Sequence, residues 1–166
     1  MVFTALLVSL AVVLHALEAL FPNFFPLPGA KLGLANIVTL LALMLFGFRE
    51  AILVVVLRVV LGSLLGGTFL SVTFVLSFSG GVVSTVVMAV AVKYFRRLSA
   101  VGVSVLGAAF HNAAQLAAAS VFMGTPAVFS YLPFLLLLSI PTGVFTGYTA
   151  AFLSRSLSNI SLQTGN

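Results

Sequence analysis

No cysteine, aspartate or tryptophan occurs among the 166 residues, and only Glu18 and Glu50 carry negative charge. Without cysteine there is neither a disulfide framework nor a thiolate metal site, and redox chemistry by the chain alone is not expected. Without aspartate there is no carboxylate cluster of the kind that holds magnesium for prenyl or phosphoryl transfer, because the two glutamates stand in separate regions. His15 and His111 are the only imidazoles and fall on different expected helices, which disfavours a zinc site. The nucleophile elbow GxSxG is missing, and "GVSVLG" at 102–107 is not a version of it. A Walker-type phosphate loop is missing too, so any use of ATP has to come from partners. The chain is therefore expected to be no enzyme and to carry no cofactor.

Charge of either sign is scarce. Only 5% of residues are charged, 62% are hydrophobic and the mean hydropathy is +1.33. Soluble domains are about a quarter charged, and a chain of this length cannot hide so much apolar surface in one water-bathed core. The expected solvent is lipid. The net charge of +5 is not read as a nucleic-acid footprint, because the basic residues punctuate apolar segments instead of lining one face. No nucleic-acid partner is expected.

A spanning helix needs about 20 apolar residues to cross about 30 Å of hydrocarbon. Six segments qualify or nearly qualify, and they predict an all-α polytopic membrane protein, a compact bundle of six transmembrane helices forming one domain over 1–166. The expected spans are 3–21, 34–48, 51–65, 69–92, 99–123 and 129–153. The first ends where Pro22, Pro26 and Pro28 cannot continue a helix. The second stops at Arg49-Glu50, and the third at the glycines of "GSLLGG". Gly80-Gly81 inside the fourth leaves open one helix or two, and Pro141 with Gly143 predicts a kink in the sixth. The tail "SRSLSNISLQTGN" reads as polar, short and mobile.

If the first helix runs outward, Arg49, Lys93, Arg96, Arg97 and Arg155 share one side and only Lys31 falls on the other. Positive residues stay inside, so both termini are expected in the cytoplasm of a plasma (inner) membrane, with the "PGAKLG" loop external. The start "MVFTALLVSL" has no basic n-region and no small-residue cleavage site follows, so it is expected to be retained.

Polar residues inside spans are costly and are the default candidates for function. On the fifth span, "AAFHNAAQLAAAS" sets His111, Asn112 and Gln115 on one broad face through spacings of three and four. They form either a hydrogen-bonding wall for a ligand or glue between helices. The neighbouring alanines are explained by close helix packing alone. Arg58 stands about eight residues, hence about 12 Å, into the third span. It either pairs with Glu18 or meets an anionic ligand. His15 reads as a packed, hydrogen-bonded histidine. In the stretch "FPLPGAKLGLANIVTL", Lys31 lies between glycines just ahead of a helix start, where Asn36 can hydrogen-bond the first amides and an anion or carbonyl could be held. The alternative is that Lys31 meets lipid headgroups.

At "PGAKLGLANIVTLLAL" the sequence resembles the Gx transporter family, also named heptaprenyl diphosphate synthase component I, which is itself similar to the substrate-binding S components of energy-coupling factor (ECF) transporters. The resemblance covers most of the chain. It implies a six-helix bundle with a small-molecule ligand bound near the outer face beneath the first loop, and it implies that Lys31 and Asn36 belong to that site. It also implies docking, through small residues of the first helix, onto a membrane coupling subunit shared with two ATPases. The nearest equivalents here are Ala5 with Ser9, and Ala11 before His15. The family's other name implies association with a soluble prenyl synthase. Two functions follow: a substrate-binding subunit of an importer, or a non-catalytic membrane component of polyprenyl diphosphate synthesis. A stand-alone channel or carrier is disfavoured, since few charges line any span and no internal repeat is visible.

Overall fold

The structure is a computed structural model that describes the backbone of residues 2–20, 33–95 and 97–163, and the side chains of 2–18, 33–95 and 97–157. Six α-helices follow in order: α1 (Val2–Leu20), α2 (Leu34–Phe46), α3 (Phe48–Leu65), α4 (Val72–Tyr94), α5 (Ala100–Met123) and α6 (Leu132–Gln163). A 3-10 segment, Pro126–Tyr131, leads into α6. No strand occurs among the described residues. Lys31, Arg96 and most of the external loop expected at 24–33 lie outside the described residues.

Helix ends follow local chemistry. Ser71 Oγ accepts the Phe74 N–H at 3.4 Å, and Ser99 Oγ accepts the Gly102 N–H at 3.2 Å, so α4 and α5 each begin on a serine cap. Helix α5 stops at Gly124, whose φ of 63° is the left-handed conformation glycine adopts without penalty.

Two boundaries differ from the sequence expectation. The second and third helices part at Gly47, not at Arg49-Glu50; Gly47 holds φ 94°, ψ −171°, and its N–H closes α2 on the carbonyls of Ala42 and Leu43. Arg49 and Glu50 then sit in the first turn of α3. Arg58 is accordingly ten residues into its helix, about 15 Å along it. The second difference is that α6 continues through much of the polar tail to Gln163. Helix α4 is continuous through Gly80-Gly81, one of the two forms the sequence left open.

Helix α2 is the innermost. Ala35 and every residue from Ile37 to Leu43 is buried, although thirteen residues rise only about 20 Å, less than a bilayer's hydrocarbon layer. It packs on α1, α3, α4 and α6. The most extensive contacts run from α5 to its two neighbours, α4 and α6. Gly143 and Gly147, one turn apart on α6, explain how α5 comes so close: a Cβ at either would stand 2.5–2.6 Å from the backbone of Val105 or Val101. This is the small-xxx-small arrangement that lets two apolar helices touch backbone to backbone.

Outside, the bundle is apolar. Leu65, Val121, Leu137 and Phe152 are among many large side chains that face outward. Three helices, α4, α5 and the segment Pro126–Leu157, are long and apolar enough to cross a membrane, and Val2–Glu18 and Leu34–Phe46 are shorter apolar helices. An outer surface of this kind is what lipid covers.

Candidate functional site

Inside the apolar shell lies a polar cavity of about 50 Å³. Helix α1 supplies His15 and Glu18 to its lining, α2 Asn36, and α3 Arg58. Ser77 and Ser84 come from α4, His111, Asn112 and Gln115 from α5, and Thr142 and Thr146 from α6. The cavity lies at the end of the bundle where α1 finishes and α2 begins, as Glu18 and Gly33 both line it. At about 10–15 Å³ per water, it holds about four waters or a solute of similar size.

Each polar residue is brought there by a specific feature. Gly33, with φ 76°, sets the turn into α2, and its N–H donates to Glu18 Oε1. The Asn36 N–H donates to the Gly33 carbonyl at 2.9 Å, closing the first turn. Asn36 Oδ1 then accepts from both Arg58 Nη1 and Nη2, each at 3.4 Å. Arg58 thus donates to an amide rather than to Glu18, and a continuous path runs Glu18, Gly33, Asn36, Arg58.

Glycines on α4 and α3 make room. A Cβ at Gly80 would stand 2.9 Å from Gln115 Cγ and 3.0 Å from the His111 ring, so His111 and Gln115 reach the interior only because α4 carries glycine opposite them. Gly81 does the same for Val55 and for Arg58 Nη2, 3.4 Å from a Cβ placed there. Gly62 lets the His15 ring lie against α3, where a Cβ would meet Cδ2 at 2.7 Å.

Asn112 has a second task. Its Nδ2 donates to the Leu135 carbonyl at 3.0 Å, while Ser139 Oγ and Thr142 Oγ1 donate to the carbonyls of Leu136 and Leu138. These bonds fall in the stretch before Pro141, which has no N–H to offer the Leu137 carbonyl four residues back, and they go to the carbonyls on either side of it.

The sequence-selected residues Asn36, His111, Asn112 and Gln115 therefore share one cavity, with Arg58, Glu18 and His15 on its other walls. Lys31, the remaining one, lies outside the described residues. Thr142, Thr146, Ser77, Ser84 and Ser104 also line it and were not picked out from sequence; Thr142 and Thr146, four apart on one helix face, carried the available signal. Among the described residues, no group of three His, Cys, Asp or Glu gathers to hold a metal.

The fold and the cavity define a class: an all-helical protein with a lipid-suited exterior and a buried polar chamber containing one guanidinium. Residues 7–153 match the family described as heptaprenyl diphosphate synthase component I, and the chain belongs to that family. No curated protein and no solved structure matches it.

Proposed function

We propose that the chain is a membrane-embedded, substrate-binding subunit of a small-molecule importer, similar to an S component, and is not itself a catalyst. The observation that carries this reading is the cavity around Arg58. Burying a guanidinium in an apolar bundle is costly, and two long bonds to one amide oxygen are poor compensation if the only purpose is packing. Intramembrane ionisable groups in such settings mark ligand or ion sites.

In this reading all six helices lie in the plasma membrane with both termini cytoplasmic, and the cavity opens outward. The loop 24–33, with Lys31, closes over a ligand that Asn36, Asn112, Gln115 and His111 contact from below. The energy comes from partners: a coupling subunit with two ATPases. Ala5 and Ser9 are exposed beside a groove between α1 and α3 that also includes Arg49, Glu50 and Leu53, a surface suited to a helical partner. The test is native mass spectrometry of the protein extracted gently with its partners. A defined bound solute together with a coupling subunit supports the importer; failure to bind any small molecule, with Lys31 and Asn36 replaceable without effect, sinks it.

The family's name favours a second reading, a non-catalytic membrane component of polyprenyl diphosphate synthesis. Lys93 and Arg97 are exposed at neighbouring ends of α4 and α5 and, with Arg96, would offer a basic patch to a soluble prenyl synthase. That association would weaken with salt, and a co-purifying synthase with no bound solute would decide for it.

A further inference from the structure

Arg58 is 4% exposed, and its Nε has no hydrogen-bond partner among the described residues. Among the described residues its two Nη atoms reach only Asn36 Oδ1, at 3.4 Å, where charge-assisted bonds run about 2.7–2.9 Å. Ser84, 2% exposed on the neighbouring face of α4, likewise has an Oγ with no partner among the described residues. Both line the same cavity. These are unused donors held out of water, each costly unless an acceptor arrives.

The charge balance tells which acceptor. Glu18 is the cavity's one acidic lining residue among those described, and it accepts the Gly33 N–H at the N-terminus of α2, where the helix dipole favours a negative group. Its charge is thereby partly compensated. Glu18 still acts on the guanidinium through space, but the hydrogen bonds that Arg58 makes among the described residues go to an amide oxygen and not to a carboxylate. With Oδ1 committed to Arg58, Asn36 has its Nδ2 left to donate. Gln115, 7% exposed, adds a further amide on the α5 wall.

We infer that the solute bound in this cavity presents a carboxylate to Arg58, with Ser84 and the amides of Asn36 and Gln115 as further donors. The inference rests on reading the cavity as a ligand site, and it names the ligand's class. A carboxylate is planar and takes the two-pronged donation that a guanidinium offers. A phosphate dianion fits poorly, because Arg58 is the one lysine or arginine among the described lining residues. At about 10–15 Å³ of space per water, the cavity suits a monocarboxylate of about four to six non-hydrogen atoms.

The test uses the purified full chain in detergent micelles and four probes of matched size or function: sodium propionate, propionamide, propylammonium chloride and inorganic phosphate. Binding is followed by thermal unfolding and by ligand-observed NMR. Propionate should raise the unfolding temperature in proportion to the logarithm of its concentration, while propionamide and propylammonium do so at least tenfold more weakly. Arg58→Lys, which keeps the charge but loses the fork, should weaken propionate at least tenfold, and Arg58→Gln should abolish its effect. Should Arg58→Gln fail to fold, the propionate-to-propionamide ratio on the unaltered chain decides alone. Equal binding of propionamide, or preference for phosphate, overturns the carboxylate and leaves the ligand site standing. Silence from all four probes overturns the carboxylate too, while a solute of another class found by native mass spectrometry would preserve the site.

Discussion

The Glu18 carboxylate accepts the backbone N–H of Gly33, tying the end of α1 to the first turn of α2 across the segment that joins them. Because Gly33 in turn accepts from the Asn36 N–H, and Asn36 accepts from Arg58, one carboxylate at the cavity's rim fixes the geometry of the guanidinium at its base. Glu18→Ala should lower stability by about 1–2 kcal/mol, the worth of a hydrogen bond to a charged group in a half-buried setting. Glu18→Gln, which keeps an acceptor, should lose less. Denaturant unfolding in micelles checks the order.

Asn36→Asp should separate fold from ligand. A carboxylate at this position stands beside Arg58 and turns its two long bonds to an amide into a direct ion pair, so the protein should gain stability, on the order of 1 kcal/mol. The same change fills the donor fork from within and should abolish solute binding. Higher unfolding temperature with lost binding is the expected pair of results.

Asn112→Ala should act mainly on stability. Its amide bonds the Leu135 carbonyl of α6, and such bonds between membrane helices are worth about 0.6 kcal/mol on average and about 1.7 at most. Gln115→Leu, which removes an amide with no such second task in the structure, should reduce solute affinity more than Asn112→Ala does. Comparing unfolding and binding for the two variants measures how the α5 wall divides its work.

Gly143→Ala tests the α5–α6 seam. The new Cβ would lie 2.5 Å from Val105 Cα, a backbone atom that cannot swing aside, and overpacking of this kind costs about 1–3 kcal/mol. Gly102→Ala is the control, since the one tight approach of its Cβ would be to the end of the Leu98 side chain, at 3.2 Å. That variant should be near neutral or slightly stabilising, because alanine favours helix over glycine.

The helices were readable because long apolar runs broken by proline, glycine and charge have few other outcomes in lipid. The boundary at Gly47 was missed because Arg49-Glu50 is the louder signal, yet charges can occupy a first helical turn whereas a φ of 94° strongly favours glycine. Continuity of α4 through Gly80-Gly81 was undecided, as the glycines serve His111, Gln115 and Arg58 on other helices and not a break in their own. For the site, Asn36, His111, Asn112, Gln115 and Arg58 announced themselves by being polar inside apolar spans. The hydroxyls of Thr142 and Thr146 did not, because a threonine that bonds the carbonyl four residues back is inconspicuous in any helix. That Arg58 hydrogen-bonds Asn36 was not legible either, since Asn36 reaches it only through the turn that Gly33 and Glu18 build.

The central claim is that the Arg58 cavity holds a solute, and the most direct measurement is mass spectrometry of small molecules released from protein purified without denaturation. The original chain and Asn36→Asp, equally folded, are compared. The account predicts a stoichiometric small acid carried by the original chain and missing from the variant. A chain that carries nothing, or carries the same solute equally in both, would contradict it.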